Sequence, residues 1–129
     1  MNPPAKDVKD ILLNNSIGLT YATDLFLYKM PDLPDLCYCL YDGSGSAPTS
    51  QYRLDHPSVQ VMGRGGQNDY ETVYSTMEDI KEVMRNTQGE TINGTTYIGV
   101  WAMQDIGFIG YDEKNRPRFS FNVAIQRTE

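Results

Sequence analysis

Apolar positions along the chain follow two kinds of spacing. From Ala5 to Asn15, Val8, Ile11 and Leu12 recur at helical intervals, with Asp7 and Asp10 near the start and Asn14-Asn15 at the end, where asparagine commonly caps. A short amphipathic helix is predicted there. A longer one follows Asn68 or Asp69, either of which can cap it. In it Tyr70, Val73, Tyr74, Met77, Ile80 and Met84 line one face, opposite Glu71, Glu78, Glu82 and Arg85, and the pattern ends near Gly89.

The remaining apolar runs read as strands. Leu25-Phe26-Leu27-Tyr28 leads to Pro31 and Pro34, which block a helix and suit a loop bending between two extended stretches. Leu36 to Tyr41 is apolar on both parities, as in a strand covered on two faces, and is the expected central strand. The stretch Asp42 to Ser50 consists mainly of small, turn-forming residues that bury little, so a mobile surface loop is expected. Ser58 to Met62 alternates after Pro57 and stops at Gly63-Arg64-Gly65-Gly66, where glycines permit a sharp turn.

In the last third, Asn93-Gly94 is the preferred pair for a two-residue hairpin turn, because both central positions need positive φ. Val100 to Met103 continues as an extended stretch. Gly107 to Tyr111 is joined through Asp112–Arg116 to Phe119–Ile125, which alternates cleanly between apolar and polar or small residues. The order α-β-β-β-α-β-β-β predicts an α+β fold, a mainly antiparallel sheet packed against two helices. No repeat or linker divides the chain, so residues 1–129 are expected to form one domain.

Charge narrows the set of partners. With 17 acidic and 11 basic residues the net charge is -6. That opposes tight binding to phosphate, which depends on clustered cations. No apolar run approaches the roughly 18 residues needed to cross a bilayer, and Met1 to Lys6 lacks the features of a signal peptide, so no membrane partner is expected.

Candidate chemistry is sparse. Gly63-Arg64-Gly65-Gly66 lacks the lysine and hydroxyl of a phosphate-binding loop and does not match the dinucleotide spacing, so it reads as a structural turn, with Arg64 available as a subunit contact. Cys37 and Cys39 would lie about 7 Å apart on one face of a strand, too far for an ordinary disulfide. A metal site would need two more ligands, and the chain has only one histidine, His56. The pairs Asp32 with Asp35 and Asp112 with Glu113 lie in segments where acids usually face water. No catalytic residue, metal or cofactor is assigned. The nine tyrosines are expected mostly at the core or its edge, with a minority at a subunit boundary.

The order of segments carries more information than any single motif. Leu40-Tyr41-Asp42-Gly43 is followed by Val59-Gln60-Val61 with Arg64, the long helix, and Glu90 to Tyr97, then Gly107 to Arg116 and Phe119 to Val123. From Tyr38 onward this resembles the tail-terminator, or minor capsid, proteins of phages with long non-contractile tails. The resemblance implies a structural protein without enzymatic activity. It would form a ring, commonly of six subunits, that caps the tail tube, stops addition of tube protein and offers the surface on which the filled head docks. The implied partners are other copies of the chain, the tail-tube protein and a head-completion protein, with DNA only passing through the channel. A head-completion or stopper protein of the same neck region is the alternative reading. The residues expected at contacts are Asp42, Ser44 and Ser46 in the first loop, Arg64, and Asp112, Glu113, Lys114 and Arg116 in the second. Acidic residues facing the channel would repel the passing DNA.

Overall fold

The computed structural model describes all 129 residues. Helix α1 (Pro4–Asn14) is followed by β1 (Leu25–Leu27), β2 (Cys37–Thr49) and β3 (Leu54–Arg64), then by α2 (Tyr70–Arg85). After it come β4 (Gln88–Ile92), β5 (Thr95–Ala102), β6 (Gly107–Tyr111) and β7 (Pro117–Thr128). The α+β class is as the sequence predicts, and the turn at Asn93-Gly94 divides the hairpin there into β4 and β5. Both turn residues have positive φ, 51° and 79°.

The strands form one sheet in the order β1-β2-β3-β7-β5-β4, antiparallel throughout except for the short parallel pair β1 and β2. β6 also pairs with β7. Its register continues that of β5 along the same edge: Ala102 faces Val123, and Gly107 faces Ser120. β5 and β6 thus run end to end, interrupted at Met103–Ile106, and β7 is flanked along its length.

Alternation in β7 explains the core. Phe119, Phe121, Val123 and Ile125 are buried, and the residues between them are half-buried on the other face. The buried set meets Val8, Ile11 and Leu12 of α1 and Val73, Met77, Ile80 and Met84 of α2 in one apolar cluster. Full burial of each large aliphatic or aromatic side chain contributes about 1.5–3 kcal/mol. The helices therefore share one face of the sheet. Gly63 and Gly65 matter here because of close approach, not a left-handed backbone. A Cβ at Gly63 would lie 2.9 Å from the Met77 sulfur, and one at Gly65 2.4 Å from a Val73 methyl.

Three expectations need correction. β2 is not central: β3 and β7 hold the middle, and only β1 lies beyond β2. Its segment Cys37–Leu40 is nevertheless buried on both faces, because residues 28–36 fold over the side away from the helices. Asp42–Thr49 is not a loop but the second half of β2, paired with β3 through register shifts at Gly43/Ser46 and Ser46/Thr49. Main-chain hydrogen bonds suffice to hold it although its side chains bury almost nothing. In α2, Tyr70 and Tyr74 do not join the buried face; they lie at its border, 42% and 40% exposed.

The start of the chain is tied to its last strand by a polar cluster. Asp7, fully buried in α1, accepts hydrogen bonds from the Tyr97 hydroxyl and the Asn93 side chain, and Arg127 donates to the Tyr97 oxygen and to the Asn2 carbonyl. Burial, then the nearby Asp7 carboxylate, raises the Tyr97 hydroxyl pKa well above its usual value.

Candidate interaction surfaces

The residues singled out in the sequence separate into a buried group and an exposed group. Arg64 is 5% exposed, and its side chain is spent inside the subunit. It lies on the same sheet face as Cys37, its cross-strand neighbour, and points into the segment that folds over that face. Its guanidinium donates to the main-chain carbonyls of Pro31, Asp32, Pro34 and Asp35 at 2.7–3.2 Å and to the Cys37 sulfur at 3.3 Å. A guanidinium has the donors to satisfy several carbonyls at once. Arg64 thus holds residues 31–35 against the sheet.

Arg116, 7% exposed, also has an internal role. It pairs with Asp112 at 2.7 Å, Asp32 at 3.1 Å and Asp35 at 3.2 Å, and donates to the Asp32 carbonyl. Asp32 and Asp35 therefore do not simply face water; they bind the β6–β7 turn to the loop after β1. Asp112 shapes that turn by accepting from the amides of Lys114 and Arg116. Partial burial of Asp112 opposes its charge, but the hydrogen bonds from Arg116 and Lys114 outweigh this and hold its carboxyl below the usual range. Lys114 reaches Asp32 at 2.6 Å from an exposed position, and Glu113 is exposed.

Asp42 also has a structural task. Its carboxylate accepts from the Ala5 amide at 2.8 Å and so caps α1, whose own N-cap residue, Pro3, gives no side-chain hydrogen bond. Ser44 and Ser46 are exposed on the outer half of β2. Of the expected contact residues, Ser44, Ser46, Glu113 and Lys114 remain open without a buried role, and they lie on different parts of the molecule.

No reactive constellation emerges. Cys37 and Cys39 are free and buried, and burial raises both thiol pKa values. His56 lies far along the β2–β3 pair from them, with its Nε2 3.0 Å from the Thr49 hydroxyl. No group of three or more His, Cys, Asp and Glu side chains could hold a metal ion.

The most distinctive surface lies where α2 meets the edge of β6. Tyr70 of α2 packs on Phe119 and Phe108, with ring centres 4.8 and 5.4 Å apart, and Phe108 packs on Tyr111 at 5.2 Å. Phe108, Ile109 and Tyr111 are 44%, 42% and 55% exposed, and the edge of β6 away from β7 has no strand partner. Contiguous exposed apolar area beside a free strand edge marks a protein contact. The signal in the sequence was Gly107–Tyr111, an apolar run without a charge or proline, but only its place at the sheet edge shows that the run is uncovered. On the opposite sheet face Trp101 and Met103, with His56 and Ser58, line a second depression of about 310 Å³. Exposed apolar surfaces of this kind suit protein contact.

Residues 12–129 match the family described as bacteriophage tail terminator protein. The chain belongs to that family. The match begins within α1 and runs through every strand. It extends the resemblance read from Tyr38 onward back through the loop that Arg64 and Arg116 hold. No curated protein matches the chain. A tail terminator is a structural protein of the phage tail, in keeping with surfaces suited to protein contact. No helix of this tail terminator is long and apolar enough to cross a membrane.

Proposed function

We propose that this tail terminator works as a ring of six copies seated on the end of the tail tube. There it stops further addition of tube protein and presents the surface on which the filled head docks. The match over residues 12–129 carries this reading. The free apolar edge of β6 supports it, because an open edge beside exposed apolar side chains is suited to contact with another protein. Ring closure requires contacts between unlike surfaces, so that each copy is held by one neighbour and holds the next. Ser44 and Ser46 on β2, and Glu113 and Lys114 at the β6–β7 turn, are the proposed polar contacts to neighbouring copies, tube or head. DNA passes through the channel without being held, in keeping with a net charge of -6.

The test is to image the purified protein alone and after mixing with tail-tube polymer, by light scattering and negative-stain electron microscopy. Rings at tube ends, with tube length no longer increasing, are the expected result. A monomer that ignores tube ends but binds filled heads would replace this reading with a connector on the head side.

A further inference from the structure

Two exposed features lie at diagonally opposite corners of the sheet. The first is a shallow groove of about 490 Å³ along the outer side of α2, lined by Tyr70, Glu71, Tyr74, Ser75, Glu78 and Asp79. Tyr70 joins it to the aromatic edge at Phe108. Glu78 is engaged by Lys81, whereas Glu71 and Asp79 have no cationic partner in the subunit. The second is the turn between β2 and β3. Tyr52 is 71% exposed there, and Arg53 is exposed with a left-handed backbone, φ 53°. Arg53 pairs with no carboxylate and is the single charged residue between Gly43 and Leu54.

The register keeps these features apart. The Leu54 end of β3 adjoins the C-terminal end of β7 on one side, while β6 adjoins the N-terminal end of β7 on the other. Neither can fill the other within one subunit.

We propose that the groove on α2 is the seat for the β2–β3 turn of a second copy of this chain. Arg53 of the incoming copy lies between Glu71 and Asp79, and its Tyr52 packs beside Tyr70 and Tyr74. The proposal rests on the ring reading above and adds which surfaces close the ring. A second copy is the occupant because the complement of an acidic, tyrosine-lined groove is a cationic, aromatic tip, and this chain carries one. Arginine and tyrosine are among the side chains that most often dominate interfaces, and a guanidinium gains further from an aromatic face. One tip and one groove per copy, at different corners, make the contact heterologous, the kind that closes into a ring.

Charge reversal tests this on the full chain. Rings at tube ends are counted by negative-stain microscopy for the wild type, for Arg53→Glu, for Glu71→Lys with Asp79→Lys, and for the three changes combined. All three positions are exposed, and the melting temperature of each variant checks the fold. Reversal on either side is expected to lower ring occupancy by about tenfold or more, and the combined variant to recover most of it, because like charges facing each other repel and the restored pair attracts. Ring formation at the wild-type level in either reversal overturns the docking while leaving the ring reading intact. Loss in both without recovery in the combined variant also overturns it and assigns these surfaces to tube or head protein. Absence of rings from the wild type overturns the ring reading and this proposal together.

Discussion

The corner built from residues 28–36 and 112–116 and the outer half of β2 both come from stretches whose composition suggests loops, and they are held in opposite ways. The corner is held by side chains. Arg64 gathers four main-chain carbonyls, and Arg116 gathers three carboxylates. The outer half of β2 is held mainly by its main chain, through its ladder with β3, and side chains add hydrogen bonds only at its two ends, Asp42 and Thr49. One design concentrates stability in a few residues. The other spreads it over peptide groups and tolerates almost any side chain, except where the backbone itself is constrained.

The sharpest test of this contrast is Arg64→Ala. It removes a buried side chain and the donor shared by four main-chain carbonyls, and is expected to cost about 3–5 kcal/mol, read from chemical denaturation. Arg64→Lys should recover little, since an ammonium cannot span the same fan of acceptors. Next comes Gly45→Ala, the exception on the tolerant side. Gly45 has φ 69°, and a Cβ there would sit 2.1 Å from the His56 carbonyl oxygen and 2.7 Å from the Pro57 Cα. A loss of about 1–3 kcal/mol is expected, with faster amide exchange confined to the β2–β3 pair.

A smaller effect separates the regions by pH. The folded-state pKa of Asp112 lies below its unfolded value, so its contribution is complete above that unfolded value, about 4, and is lost as pH falls through the folded one. The melting temperature should therefore fall more steeply below about pH 4 in the wild type than in Asp112→Asn. An equal slope would show that the corner is not held by this charge. Smallest of all, Ser44→Ala and Ser46→Ala should each change stability by less than about 0.5 kcal/mol. A larger loss in either would mean that the outer half of β2 depends on its side chains after all.

Where side-chain spacing carries the structure, the sequence could be read directly. The buried face of α2 from Val73 to Met84, the alternation of β7 and the positive-φ pair Asn93-Gly94 are local patterns, and each is present as expected. Gly43 to Thr49 escaped because a strand held mainly by peptide hydrogen bonds leaves no apolar rhythm. Arg64 and Arg116 escaped for another reason. Apart from Asp112 beside Arg116, their acceptors lie about thirty and eighty residues earlier in the chain, and no local spacing distinguishes an arginine that binds carbonyls from one that faces a neighbour. Tyr70 and Tyr74 fit helical spacing equally well as core or as rim, and only the position of β6 decides between them.

The sheet order has a consequence for how the chain is made. β7 is the last strand in chain order and lies between β3 and β5. Until β7 leaves the ribosome, β3 and β5 have nothing to join them. The nascent chain then carries two unfinished sheet fragments, each with an open inner edge. Closure is a late, long-range event, and slow non-local pairing of this kind is where aggregation competes with folding. Those inner edges, which β7 covers in the finished subunit, are therefore exposed until the whole chain has been made.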